Sequence, residues 1–210
     1  MVDAAQTAGH LPIDVERMNI SLLAFPGHKG LFGPQGTGGL YIRRGLILKT
    51  LKEGGTGSES ENPYQPEDGP ERYESGTPNA PGIAGLNAGV VRILEQDLEA
   101  IQVREIAKTR LLLAGLMQIE GVTVYGPPVD EPRANVISFN VNGWDCNAAC
   151  DVLDRNYGIA ARGGLHCAWL AHQSLGTLRQ GAIRFSPSMN TTPEEMHMAL
   201  SAVNQLCDSQ

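Results

Sequence analysis

The chain has 210 residues, 41% of them hydrophobic and 19% charged, with a net charge of -7 and a pI near 5.2. That is an ordinary globular composition, which excludes a disordered chain. The acidic balance shows no basic face or arm for nucleic acid, and the longest apolar runs are too short for a membrane span.

In chain order, Met1-Val2 leads straight into Asp3, with no room for a preceding strand or helix. Residues 20–25 and 39–43 read as short buried strands. Between them Pro26-Gly27 stops the first run and delivers His28-Lys29 into a glycine-rich stretch. A lysine at the end of a buried strand is expected to be desolvated, which favours its nucleophilic amine. The alternative is a lysine that only extends its head into solvent. Residues 52–82 are rich in Gly, Pro, Ser, Asn and Glu and read as one long loop. Within it Gly54-Gly55-Thr56-Gly57-Ser58 is either a backbone anion nest or a flexible segment.

A helix is expected over Pro81 to Glu95, with Ile83, Leu86, Val90, Ile93 and Leu94 on its apolar face. A longer one is expected over 98–119, its stripe formed by Leu98, Ile101, Ile106, Leu112, Leu113 and Leu116 and its end capped by Gly121. Strands at 122–125 and 135–141, a helix at 145–156, a short strand near 159–162 and a strand at 182–186 follow. Thr192-Pro193-Glu194-Glu195 opens the last helix, with proline first and acids in the first turn. The order suggests an α/β or α+β domain from about residue 96 onward.

The four cysteines, Cys146, Cys150, Cys167 and Cys207, form no zinc-type pairs, and no metal site is expected. Cys146 and Cys150 would share a helix face, as buried small apolar residues or as metal ligands. With no export signal at the start, reduced thiols and a cytoplasmic location are expected. Cys167 follows Arg162-Gly163-Gly164-Leu165-His166 in a break between strands, where Arg162 and His166 would favour its thiolate. Arg184, on the apolar strand Ala182-Ile183-Arg184-Phe185, calls for a planar anionic partner. That partner is either a substrate carboxylate or a structural acid.

Four segments in register carry a family likeness: Asp3-Ala4-Ala5-Gln6-Thr7-Ala8-Gly9-His10, Ala24 to Tyr41, Glu74-Ser75-Gly76-Thr77-Pro78-Asn79, and Arg162 to Ala168. Together they resemble the class V aminotransferases, and within them the short-loop, SUF-type cysteine desulfurases, which are pyridoxal-phosphate (PLP) enzymes of fold type I. The resemblance implies an α/β chain: residues 1–95 as part of a large PLP-binding domain with an interface loop at 52–82, and residues 96–210 as a small C-terminal α+β domain.

The resemblance also assigns roles. Lys29 would form the Schiff base with PLP, Asp3 would pair with the pyridinium nitrogen, and Gln6 would bond the ring hydroxyl. His28 would contact the phosphate, or be a structural histidine. Thr77 would reach the phosphate held by the other subunit of a homodimer, or serve only the turn. Arg184 would hold the substrate carboxylate, with Arg162 and His166 beside it, and Cys167 would take sulfur from L-cysteine and pass it to an acceptor protein. Pro26 stands where the family often has serine, and Trp169 where it commonly has proline. The likeness starts partway through the large domain, so the isolated chain is expected to lack the ring-stacking group and to be inactive. The rival readings are a class V transaminase or lyase acting on another amino acid, and a non-catalytic fragment serving as a dimerisation module.

Overall fold

The computed structural model describes residues 1–59 and 61–209; Ser60, inside the expected loop 52–82, and Gln210, at the end of the expected second domain, lie outside the described residues. Two compact units divide the chain, Met1–Leu98 and Glu99–Gln210.

The first unit is built on a three-stranded sheet in the order β1-β2-β3, formed by Val2–Asp3, Leu22–Pro26 and Gly38–Ile42. β1 runs parallel to β2, pairing Asp3 with Ala24, so Asp3 does sit on a strand where none was expected. Two residues carry no periodicity, and only the pairing with β2 makes them a strand. β2 and β3 are antiparallel, with Pro26 opposite Gly38. Proline is tolerated there because it ends its strand. Ala4, Ile20 and Leu23 are buried beneath this sheet, with Ile13, Val15, Phe25 and Tyr41 packed against them.

Helix α1 (Ala80–Glu95) starts at Asn79, whose side chain accepts the Gly82 N–H at 3.0 Å. Its buried residues are Gly82, Gly89 and Ile93, whereas Ile83 and Leu94 of the expected apolar face are 55% and 70% exposed. The reason is backbone approach: a Cβ on Gly89 would lie 2.1 Å from the Leu31 carbonyl oxygen, and one on Gly85 3.0 Å from Pro34. The glycine face of α1 therefore lies on the glycine-rich stretch that follows Lys29. Among the described residues between β3 and α1, the backbone is irregular apart from a 3₁₀ turn at Glu71–Tyr73.

The second unit is a four-stranded antiparallel sheet in the order β4-β5-β7-β6, formed by Val122–Tyr125, Ile137–Val141, Ala182–Phe185 and Arg162–Gly164. Ile137, Phe139 and Val141 of β5 and Ile183 and Phe185 of β7 share one face, as period-two alternation requires. Onto it pack Leu112, Leu113 and Leu116 of α2 (Leu98–Leu116), Ala149 and Leu153 of α3 (Cys146–Tyr157), and Val203 and Leu206 of α5 (Pro193–Asp208). Thr192 caps α5 in a full capping box with Glu195, while Asp145 caps α3 by accepting the N–H groups of Asn147 and Ala148.

Four local features of this unit differ from the sequence reading. α2 stops at Leu116, and Gly121 takes its left-handed φ of 86° only after a further turn. β6 begins at Arg162 rather than near 159, and an unexpected helix α4 (Trp169–Leu175) follows it. The α2 stripe also buries two polar residues, Glu105 and Thr109. Among the described residues no helix is long and apolar enough to cross a membrane.

Candidate functional site

The sequence-derived residues fall into two groups, one in each unit. In the first unit, β2 ends at Pro26 and the chain turns through Gly27, His28, Lys29 and Gly30. Gly27 and Gly30 are buried while His28 and Lys29 are exposed. Lys29 is thus not desolvated within this chain, contrary to the expectation. The glycines flanking it take the buried positions, and the lysine head points outward. Gly27 donates its N–H to the Thr37 carbonyl at 2.8 Å, and Gly33 donates to the Gly27 carbonyl at 2.8 Å, so the turn is tied at both ends.

Asp3 reaches the same region through backbone contact. A Cβ on Gly30 would lie 2.4 Å from the Ala8 carbonyl oxygen, and one on Gly9 2.3 Å from the Gly30 carbonyl oxygen. The turn after Asp3 and the turn after Lys29 therefore meet by close backbone approach at Gly9 and Gly30, with the His10 ring also against Gly30. The Asp3 carboxylate accepts the Ala5 N–H at 2.8 Å and lines an open depression of about 370 Å³ with Ala24, Phe25, Pro26, Thr37 and Gly38. Gln6 is exposed on the turn that follows. Thr77 is exposed just before α1, next to Gly76, which takes a φ of 89° and donates its N–H to the Gly55 carbonyl at 2.8 Å.

In the second unit, β6 and β7 place Arg162 directly opposite Arg184, with Ser138 of β5 on the other side of Arg184. This row lies on the sheet face away from Ile183 and Phe185. Like charges opposed across a ladder are unfavourable without a counter-charge. Arg184 is half-buried and its Nε is buried with no hydrogen-bond partner. Burial lowers its pKa, Arg162 lowers it further, and Cys167 acts in the opposite sense.

Cys167 follows β6 by three residues and is exposed. Arg162 Nη2 lies 3.9 Å from its Sγ. His166 and Cys167 both adopt left-handed backbone, at φ 53° and 60°. Such a conformation costs about 1–2 kcal/mol per residue for side chains of this kind, so the pair is held by its surroundings. His166 Nε2 is hydrogen-bonded to the Arg162 carbonyl at 2.8 Å. Burial pushes the His166 imidazole below its ordinary value, against the effect of that bond, and Arg184, His172 and Arg162 push the same way as burial. That shift disfavours the imidazolium, so the permanent cation beside the thiol is Arg162, where the sequence reading had counted both. The other three cysteines are free thiols as well, Cys146 buried and Cys150 and Cys207 half-buried. Burial first, then Cys146 and Asp145, push the Cys150 thiol up to about 11. No group of three metal-ligating side chains occurs among the described residues.

Two further residues were not visible in the sequence. The segment after β7 is fixed by Glu105, whose carboxylate accepts the Met189 N–H at 2.8 Å, and by Lys108, whose Nζ donates to the carbonyls of Ser188 and Met189. Glu105 is almost fully buried on a helix face whose other buried residues, apart from Thr109, are apolar, and the one available signal was an acid interrupting that stripe.

A family model for class-V aminotransferases matches residues 1–198, and the chain belongs to that family. It is 36% identical over 203 residues to a probable cysteine desulfurase from Methanothermobacter thermautotrophicus, covering 94% of this chain and 50% of that protein. The fold superposes on the apo structure of a cysteine desulfurase from Thermococcus onnurineus NA1 with a TM-score of 0.85 and 35% identity, over 100% of this chain and 52% of that one. A mutant of C-DES with glycine covalently linked to its PLP cofactor superposes at a TM-score of 0.75 with 26% identity, over 95% of this chain and 49% of that one. The chain spans about half the length of the curated relatives it matches, and it has the α/β fold of the C-terminal half of these enzymes.

Proposed function

We propose that this chain carries the catalytic lysine and the sulfur-accepting thiol of a PLP-dependent cysteine desulfurase that converts L-cysteine, or a related amino acid, to alanine and an enzyme persulfide. The observation that carries this reading is the setting of Cys167. It is an exposed thiol on a strained turn, 3.9 Å from an arginine that is itself paired across the sheet with a second arginine. The opposed Arg162 and Arg184 call for an anion, and an amino-acid carboxylate held by Arg184 supplies one.

The first unit fits the cofactor by its donor set. Lys29 is exposed on a tied turn, and Asp3 lines a depression to which Gly38 and Thr37 contribute no bulky group. Lys29 would hold PLP, Asp3 would face the ring nitrogen, Gln6 the ring hydroxyl and His28 the phosphate. Thr77 would be offered to the phosphate held by a second copy in a homodimer. Bound PLP supplies an electron sink for the α-carbon of the substrate.

The chain's own groups do the rest. Arg184 orients the carboxylate, and the Lys29 amine takes the α-proton. Cys167 Sγ attacks the substrate sulfur, the carbon–sulfur bond breaks, and the carbon skeleton leaves as alanine after reprotonation. One thiol and one cysteine become one persulfide and one alanine, so no external oxidant is needed. The persulfide then passes to an acceptor protein or a reductant. A cytoplasmic location goes with this reading, since four unpaired thiols suit a reducing compartment.

The test supplies the remaining half of the pocket, by combining this chain with the N-terminal half of a relative. Borohydride reduction of the PLP-loaded complex should place the adduct on Lys29 in peptide mass analysis. Cys167→Ser should abolish sulfur release while cysteine still binds. Undiminished sulfide production in that variant would instead favour a class V transaminase or lyase in which Cys167 is incidental.

A further inference from the structure

His172 has no part in the chemistry above, yet it is 4% exposed beneath the reactive turn, and its ring centroid lies 5.7 Å from that of His166. Its Nδ1 is hydrogen-bonded at 2.8 Å to the hydroxyl of Thr177, which is 2% exposed. Such a bond fixes the ring in one orientation. Backbone bonds extend the tie in both directions. The His172 N–H donates to the Ala168 carbonyl at 3.0 Å, Thr177 donates to the His172 carbonyl at 2.9 Å, and Gly181 donates to the Thr177 carbonyl at 2.8 Å.

Gly181 in turn lies so close to β6 that a Cβ there would come within 2.9 Å of Gly164 Cα. A closed circuit therefore runs from β6 through His166, His172, Thr177 and Gly181 back to β6. The only left-handed non-glycine residues of the second unit, among those described, lie on this circuit at His166 and Cys167.

We propose that His172 is a positioning residue for the Cys167 thiol. Locked by Thr177, its buried ring is the surface against which His166 is held. His166 in turn keeps the left-handed pair wound so that Sγ stays beside Arg162. The charged and titratable groups facing this arrangement are Arg162, Arg184, His166 and Cys167. The inference rests on Cys167 being the reactive thiol of the proposed function, but it can be read without turnover.

The test is alkylation of the full 210-residue chain by iodoacetamide, with the rate at each cysteine followed by peptide mass analysis. Thr177→Val keeps the volume and removes the hydroxyl. It should slow Cys167 alkylation several-fold at neutral pH, and leave the buried Cys146 as slow as before. Thr177→Ser should restore the Cys167 rate, which a role limited to packing would not require. His172→Phe, which keeps a ring without the bond, should behave as Thr177→Val does. If His172→Phe fails to fold, the Val and Ser pair decides alone. An unchanged Cys167 rate in Thr177→Val would overturn the proposal. So would Cys146 reacting in step with Cys167, which would mark general loosening. Failure of the desulfurase reading would appear elsewhere, as absence of persulfide on Cys167 in the complemented enzyme with normal alkylation here.

Discussion

The two units hold their candidate groups by different means. In the second unit the thiol and both arginines stand on, or just beyond, a sheet whose other face is covered by three helices, with Phe139, Leu153, Ile183 and Val203 fully buried. In the first unit the buried cluster is Ala4, Ile20 and Leu23, while Ile47, Leu51 and Tyr64 are 78%, 96% and 81% exposed. There, close backbone approach at Gly9 and Gly30 brings the Asp3 and Lys29 turns together. A strained left-handed turn needs a scaffold that over-determines it. An exposed lysine needs only a firm anchor at each end of its turn, as Gly27 and Gly30 provide.

The largest expected effect is on the packed core. Phe139→Ala removes a ring that is 0% exposed and meets Phe185 edge to face at 4.9 Å. It should destabilise the second unit by about 3–5 kcal/mol. Leu23→Ala, at 7% exposure in the smaller cluster, should destabilise the first unit by about 2 kcal/mol, the low end for such a truncation. Hydrogen exchange in increasing urea reads the two units separately. Equal losses would break the contrast between a side-chain core and a glycine-built anchor.

Much of the scaffold was legible in the chain, and the exceptions share a cause. The strand stopped at Pro26-Gly27, the strand after the glycine-rich stretch, the proline-and-acid start of α5 and the break before Cys167 are written in local chemistry, though the two strands run at 22–26 and 38–42 rather than 20–25 and 39–43. β1 was not legible because its two residues become a strand only by pairing with β2. α4 was missed because it is short, has no side-chain cap, and exposes Trp169 and Leu170 by 53% and 71%, leaving no apolar period to read. The α1 face was misread because hydrophobicity marks Ile83 and Leu94, whereas close backbone approach is made by residues with no side chain at all. The exposure of Lys29 belongs to the same class, since its glycine neighbours occupy the buried positions.

Glycine substitutions sharpen the comparison at the next level. Gly181→Ala forces a Cβ into a left-handed residue at φ 64° and within 2.9 Å of Cys146 Sγ, and should destabilise by about 1–3 kcal/mol. Gly30→Ala places a Cβ 2.4 Å from the Ala8 carbonyl and should have a comparable effect, about 1–3 kcal/mol, by forcing the two turns apart. Their other readouts should separate: Gly181→Ala changes thiol alkylation, whereas Gly30→Ala lowers the Lys29 adduct in the complemented enzyme. Helix caps should erase the difference between units, because a cap is local. Thr192→Ala and Asn79→Ala are each expected to destabilise their own unit by about 1 kcal/mol in urea unfolding.

The smallest effect is a pH dependence confined to the unit that holds all four cysteines. Burial raises the Cys150 thiol to about 11, helped by Cys146 and Asp145, and burial also raises the Cys207 thiol, helped by Asp208. An unfolded thiol titrates near 8.5, so between roughly pH 8.5 and the folded value the native state holds the proton more tightly than the unfolded chain does. Stability from these thiols is therefore complete below about pH 8.5 and is lost as pH rises through the folded values, which for Cys150 means through about 11. Because Cys150 is only half-buried, solvent screening reduces its share to on the order of 1 kcal/mol. Urea unfolding of the second unit at a series of pH values should show a falling slope across this window. Cys150→Ala should flatten most of it and Cys207→Ala a smaller part. A slope untouched by Cys150→Ala would mean that the thiol keeps its ordinary acidity in the fold, and that α3 around Cys150 is open to water.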